Sequence, residues 1–267
     1  MLPPMRDPRE GVGPDGTIVT GADRRRVPPA FEPVLAACLG VIADPRVSLY
    51  LYGSVATGVA RVGASDVDLL TVGLPEAVAK TVQRPLSAQF RNLTRAVEIG
   101  VAQPEDFIGE DDRPYGNRVF LKHYCVLLAG PDRHTALPRA AADARAARGF
   151  NGDIDRHYQG WRAALNGEPH AGHVDIASLG RRVARKTLLA VAGLVSVHDT
   201  TWTTDRVSAA DRWSQLQPSF ASASASLVEW SEGVATASTQ QLRQVLASGG
   251  TVEQAVEDFR TNVGLWG

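Results

Sequence analysis

Apolar positions in the first half of the chain come in short bursts. The runs RVSLYLYG, VDLLTVGL, AVEIGVAQ and YCVLLAG are rich in β-branched and aromatic residues, and segments of helical length separate the first three. This alternation predicts an α/β domain with a mixed sheet flanked by helices. Before the first burst, Phe31 to Ala43 read as a helix that stops ahead of Asp44-Pro45, because proline disfavours helical geometry at the residue before it. The fourth run closes on the turn signal Gly130-Pro131-Asp132, and a domain boundary is expected near Leu137 and Pro138.

Beyond that point the texture changes. Ala, Leu, Arg and Gln dominate, and helix-length periodic segments follow one another without a strand pattern, so residues 138–267 predict an all-α helical bundle. SFASASASLVEW has the look of low complexity, but Pro218 and Ser219 offer a helix start, and it is read as helix. Residues 1–28 carry Pro, Gly and charge with little periodicity and are expected to form a poorly ordered lead-in with a short hairpin at PDGTIV. The catalytic candidate domain is then 29–137.

Composition narrows the function classes. Lys plus Arg total 28 and Asp plus Glu 29, a net charge of −1, so the chain lacks the basic field that holds long nucleic acids. Cys38 and Cys125 lie in apolar surroundings and supply neither a disulfide framework nor a metal spacing. PVLAACLGVIA and TLLAVAGLVSV are too short for a membrane span, and MLPPMRDPREG has no signal-peptide core. A soluble cytoplasmic protein is the expectation. His170 and His173 form a loose H-x-x-H pair, a weak metal signal.

The chemistry concentrates in LYLYGSVATGVARVGASDVDLLTV, residues 49–72. Side chains two apart on a strand share a face, so Asp66 and Asp68 point one way while Val67 and Leu69 point into the core. Two carboxylates held side by side need a positive partner, and hard oxygen ligands at this spacing suit magnesium. Gly53 and Ser54 sit where a strand gives way to a short helix: glycine lets a phosphate approach the backbone, and serine with the first helical amides can donate to it. A metal site beside a phosphate cradle implies a nucleoside triphosphate. In RAVEIGV, Glu98 alternates with Val97 and Ile99 and so lies on the opposite face from them. If its strand neighbours the aspartate strand the three acids converge, and Glu98 becomes a general base, an additional metal ligand, or both.

Gly-Ser, then SDVDLL, then a single Glu in a later strand resembles the polymerase-beta-type nucleotidyltransferase superfamily, and the order of features resembles in particular the adenylyltransferases that modify aminoglycosides such as streptomycin and spectinomycin. The motifs cover residues 46–130; RKTLLAVAGLVSVHDTTWTTDRVSAADRW is similar to the helical domain of those enzymes more loosely. The resemblance implies that Gly53, Ser54 and Ser65 contact the triphosphate, that Asp66 and Asp68 bind magnesium, two ions once the triphosphate is present, and that Glu98 activates the acceptor. It further implies ATP as co-substrate, a small-molecule hydroxyl as acceptor and a role in antibiotic resistance. Where those enzymes carry a lysine ahead of the segment corresponding to AADRW, this chain reads Thr204-Asp205-Arg206, so that Arg206, or a residue elsewhere, is left to supply that charge.

Arg181, Arg182, Arg185 and Lys186 open a helix that continues apolar nearly all round, and Arg182 and Lys186 are the leading candidates for a triphosphate clamp. The acidic loop EDFIGEDD, residues 105–112, reads as solvated, with attraction of a cationic acceptor as the functional alternative. Trp161, Trp202 and Trp213 read as helical-core anchors, with docking of an acceptor ring as the alternative for Trp202 in its Thr-rich loop. Two other functions fit the motifs: the same chemistry on a protein or transfer RNA, against which the long helical half counts, and a nucleotide sensor without turnover, against which the intact acid set counts.

Overall fold

A computed structural model of the chain describes residues 7–167 and 175–267; His170 and His173 lie outside the described residues. The chain divides into two compact units, Met1–Glu110 with Asn117–Ala140, and Asp111–Gly116 with Ala141–Gly267. The partition differs from a single cut near Leu137 because the six residues 111–116 group with the later half.

The first unit begins with a two-rung hairpin, β1 (Gly11–Val12) and β2 (Ile18–Val19), placed where PDGTIV suggested one. Helix α1 (Glu32–Val41) precedes strand β3 (Ser48–Tyr52). The chain continues through α2 (Gly53–Thr57), β4 (Val67–Val72), α3 (Glu76–Gln89), β5 (Val97–Ala102), α4 (Asp112–Tyr124) and β6 (Val126–Ala129). The partition between the two units falls inside α4. The sheet order is β5-β4-β3-β6, with β4 and β5 parallel and the other pairs antiparallel. The mixed sheet flanked by helices is the architecture that the hydrophobic pattern predicted.

The period-two pattern divides the sheet into two faces. Leu49, Leu51, Val67, Leu69, Val97 and Ile99 bury one face in a core shared with Phe31 and Leu35, with Cys38 of α1 and with Ala79 and Leu86 of α3. Tyr50 and Val72 bury part of the other, with Leu121 of α4 and Cys125. Residues 7–28 correct the expectation of a poorly ordered lead-in. Ile18 is 1% exposed and Val27 joins the main core, and the Ile18 N–H donates to the Ala140 carbonyl at 3.0 Å. Two buried apolar residues and a backbone anchor supply what the lack of periodicity concealed.

At the sheet edge, the β5 amides that face away from β4 are capped by α3. Ser87 Oγ accepts from Val97 N–H at 2.9 Å, and Gln83 Oε1 accepts from Ile99 N–H at 3.2 Å. An edge strand so covered offers no open row of donors to a foreign strand.

The second unit is helical: α5 (Ala144–Asn151), α6 (Ile154–Leu165), α7 (Ile176–His198), α8 (Arg206–Leu216), α9 (Pro218–Glu232), α10 (Thr239–Val245) and α11 (Thr251–Asn262). Helix α7 is buried all round from Thr187 to Ser196 apart from Leu189, and packs against α5, α8, α9 and α11. SFASASASLVEW forms α9, with Pro218 at its first position and Gly233 ending it in a left-handed conformation. The Ala and Ser residues present small side chains, while Phe220, Leu227 and Trp230 supply the buried anchors. Gly116 and Gly149 let the start of α4 meet α5 backbone to backbone, since a Cβ on Gly116 would stand 2.1 Å from the Gly149 carbonyl oxygen. Trp161, Trp202 and Trp213 are all buried in this unit, as core anchors should be. Among the described residues no helix is long and apolar enough to cross a membrane.

Candidate active site

The parallel register of β4 and β5 sets Asp68 directly beside Glu98, with their side chains on one face. Asp66, two residues earlier, precedes β4 and reaches the same place. One carboxylate oxygen from each of Asp66, Asp68 and Glu98 lies within 4.8 Å of the other two. Asp66 and Asp68 are partly buried and Glu98 is exposed, so the cluster opens to solvent on the Glu98 side.

Gly53 stands against this cluster at the junction of β3 and α2. Its φ is +70°, a value that L side chains rarely adopt, and a Cβ there would meet Asp68 Oδ2 at 2.3 Å. Backbone conformation and space thus require glycine for separate reasons. Helix α2 spans only Gly53–Thr57 and ends at Gly58 with φ 81°, so GSVATG is a single tight turn between two left-handed glycines. Ser54 is partly buried as its second residue.

Ser65 serves the loop ahead of β4. Its Oγ accepts from Arg61 N–H at 2.9 Å, and its carbonyl accepts from Arg95 N–H at 3.0 Å. The hydroxyl proton of Ser65 is left to donate elsewhere. Thr94, fully buried, places its hydroxyl between the carbonyls of Ser65 (2.8 Å) and Ala96 (2.7 Å), so the approaches to β4 and β5 are held together just before the ladder begins.

Two residues at the site escaped the sequence reading. Arg95 grips Asp66 with a fork, Nε donating to Oδ1 at 2.9 Å and Nη2 donating to Oδ2. Strand parity could not reveal this contact, because Arg95 lies in the turn before β5 and has no fixed face. Tyr52 pairs across the antiparallel ladder with Asp68, so Tyr52, Asp68 and Glu98 form one row across three strands. Burial first, and then the charges on Asp68 and Glu98, push its phenol well above the usual tyrosine value, so it stays protonated. Its ring meets that of Phe120 edge-on, 5.1 Å between centroids. Strand parity alone puts Tyr52 on one face with Tyr50; the register is what brings it to the acids.

Two of the cations expected from the helical half, Arg206 and Lys186, have partners inside their own unit. Arg206 is 4% exposed and donates through Nη2 to Glu232 Oε1 at 2.7 Å, pairing α8 with α9, while its Nε is buried without a hydrogen-bond partner among the described residues. Lys186 Nζ donates to the Phe150 carbonyl at 3.1 Å and lies 2.6 Å from Asp153 Oδ1. Burial would raise Asp153, but the hydrogen bond from His157 and the charge of Lys186 outweigh it and hold the carboxyl at about 2. These partners give both cations a structural use inside their own unit. Arg182 is exposed on α7. The acidic segment 105–112 follows the end of β5 away from Glu98, and Arg118 ties it down by donating to the carbonyls of Phe107 and Gly109.

With this geometry in place, the comparison with known families bears directly on the strands that carry the acids. Residues 41–107 match the nucleotidyltransferase domain family. The match covers about a quarter of the chain and takes in Gly53, Ser54, Ser65, Asp66, Asp68, Arg95 and Glu98. It supports the polymerase-beta-type superfamily for this segment, and nucleotidyl transfer with a nucleoside triphosphate as the general activity. The family in general works with a divalent metal, and the acid cluster has the donors for one. No curated protein matches the chain.

Proposed function

We propose that the protein is a magnesium-dependent nucleotidyltransferase of the class that releases pyrophosphate, moving a nucleoside monophosphate from a triphosphate, ATP first, to a hydroxyl of a small molecule. Aminoglycoside-like polyols are the first acceptors to test. One observation carries the reading: carboxylate oxygens of Asp66, Asp68 and Glu98, brought together by the neighbouring parallel strands β4 and β5, lie within 4.8 Å of one another, beside a glycine at which a Cβ would meet Asp68 Oδ2 at 2.3 Å.

The donor set fits a hard divalent cation, which favours carboxylate oxygens together with phosphate oxygens. Such an ion, when bound, neutralises charge on the reacting phosphate and the departing pyrophosphate. Asp68, fixed by the ladder, and Asp66 just ahead of it, both partly buried, would hold it. Glu98 is exposed and takes the proton of the acceptor hydroxyl as that oxygen approaches in line. The Ser54 hydroxyl and the unspent proton of Ser65 donate to the phosphates, and Gly53 lets them close on the backbone. Tyr52 stays neutral behind the acids and adds no further negative charge.

The test is incubation with magnesium, each common nucleoside triphosphate and a library of hydroxylated metabolites and aminoglycosides, read by mass spectrometry and pyrophosphate release. Adducts heavier by one nucleoside monophosphate support the proposal. Absence of both adduct and pyrophosphate with every pair would sink it, and label transferred to protein or RNA alone would refute the small-molecule acceptor.

A further inference from the structure

We infer that Arg95 is a resident counter-ion of the acid cluster that exchanges with the divalent cation, holding Asp66 while the site is ion-free and releasing it as the ion binds. The inference rests on the metal-binding reading of Asp66, Asp68 and Glu98.

Three carboxylates with oxygens inside 4.8 Å repel one another unless something positive joins them. Arg95 supplies that charge from within the chain. Its fork occupies both oxygens of Asp66, and the charges of Glu98 and Asp68 act on it as well. A carboxylate bridged on both oxygens by one guanidinium has given one in-plane lone pair of each oxygen to that partner, and the guanidinium charge opposes a cation on the pairs that remain, so ligation of a metal by Asp66 competes with the fork.

The two partners are unequally rooted. The Asp66 side chain is 12% exposed, whereas that of Arg95 is 56% exposed. The acid is built into the site, and the base reaches it from solvent. Arg95 is fixed at its backbone, where its N–H donates to the Ser65 carbonyl at 3.0 Å, so the guanidinium can swing out while the loop keeps its place. An ion pair with one half in water is weak, which is the property an exchangeable occupant needs. Once released, the guanidinium stays within reach of a polyphosphate drawn to the same ion.

Manganese binding to the nucleotide-free, full-length protein, followed by electron paramagnetic resonance, tests this without any turnover. Arg95→Gln should bind manganese about fivefold tighter than the unaltered protein, the factor expected for removing a weak competing ion pair. Arg95→Lys keeps the charge but loses the fork, and should fall between the two. Without added ion, Arg95→Gln should melt at a lower temperature than the unaltered protein, and saturating manganese should abolish the difference. Equal or weaker manganese binding in Arg95→Gln would overturn the exchange and leave Arg95 a residue that only steadies Asp66, with the metal site intact. No manganese binding by either protein would remove the metal reading and the exchange together. Should Arg95→Gln fail to fold, Arg95→Lys carries the same comparison: tighter binding than the unaltered protein supports exchange, and equal or weaker binding rejects it.

Discussion

At the scale of single residues, the site depends on Asp68 and Gly53 occupying adjoining space. With Asp68 Oδ2 only 2.3 Å from where a Gly53 Cβ would stand, Gly53→Ala has to move the carboxylate or the turn, and it also forces alanine to a φ near +70°. We expect a loss of about 1–3 kcal/mol in denaturant-measured stability together with loss of transfer. Wild-type stability and pyrophosphate release in Gly53→Ala would refute this account of the turn. On the proposed mechanism the acids divide by role. Asp68→Asn should abolish transfer by removing a metal ligand, whereas Glu98→Gln should bind triphosphate normally, by calorimetry, yet lower turnover at least a hundredfold, the usual scale of a lost general base. Full activity in Asp68→Asn would exclude metal catalysis here. Asp66 and Asp68 were legible in the sequence because a period of two assigns faces without reference to any other strand. Arg95 was not legible, because it sits one step outside the periodic segment.

At the scale of elements, the edge strand β5 carries Glu98, and its position depends on α3 as much as on β4. Gln83 provides the acceptor for Ile99 N–H, within a residue 9% exposed. Gln83→Leu fills similar space but strands that donor, at a cost of about 1–3 kcal/mol. Urea unfolding should show the loss, and amide exchange at Ile99 should accelerate; Gln83→Glu, which keeps an acceptor oxygen, should spare both. An Ile99 amide equally protected in Gln83→Leu would mean the cap is dispensable. The strands themselves were readable as short apolar bursts, and α9 was readable from its proline start despite its Ala and Ser. The order β5-β4-β3-β6 was not, since nothing local says which burst pairs with which.

At the scale of the whole molecule, buried polar groups decide how stability answers to pH. Burial, followed by the charges of Arg139 and Lys122, lowers His123 to about 4, and its Nε2 accepts from Ala140 N–H at 2.9 Å. In the unfolded chain an imidazole titrates near 6.5. Between those values the unfolded state binds the extra proton, so stability attributable to His123 is complete above about 6.5 and drains away as pH falls toward about 4. His123→Gln, able to accept the same hydrogen bond, should flatten the stability profile across that window; an unchanged slope would show that another group sets it. The helical unit shows the converse use of charge. Glu232 and Asp153 engage Arg206 and Lys186 inside the bundle. An isolated stretch of sequence shows a charge but not its partner, because the partners lie 26 and 33 positions away.

What the sequence determined alone follows from short-range geometry: strand and helix periods, the glycine turn, and the common face of Asp66 and Asp68. The tertiary structure decided the rest. Burial of the sheet on both faces selected β4 and β5 as parallel neighbours in a register that sets Asp68 beside Glu98, brought Tyr52 into the same row and gave Asp66 to Arg95. Pairing across the sheet is a choice among distant segments, and it is settled by how much apolar surface the complete arrangement removes from water rather than by any property of the segments taken singly.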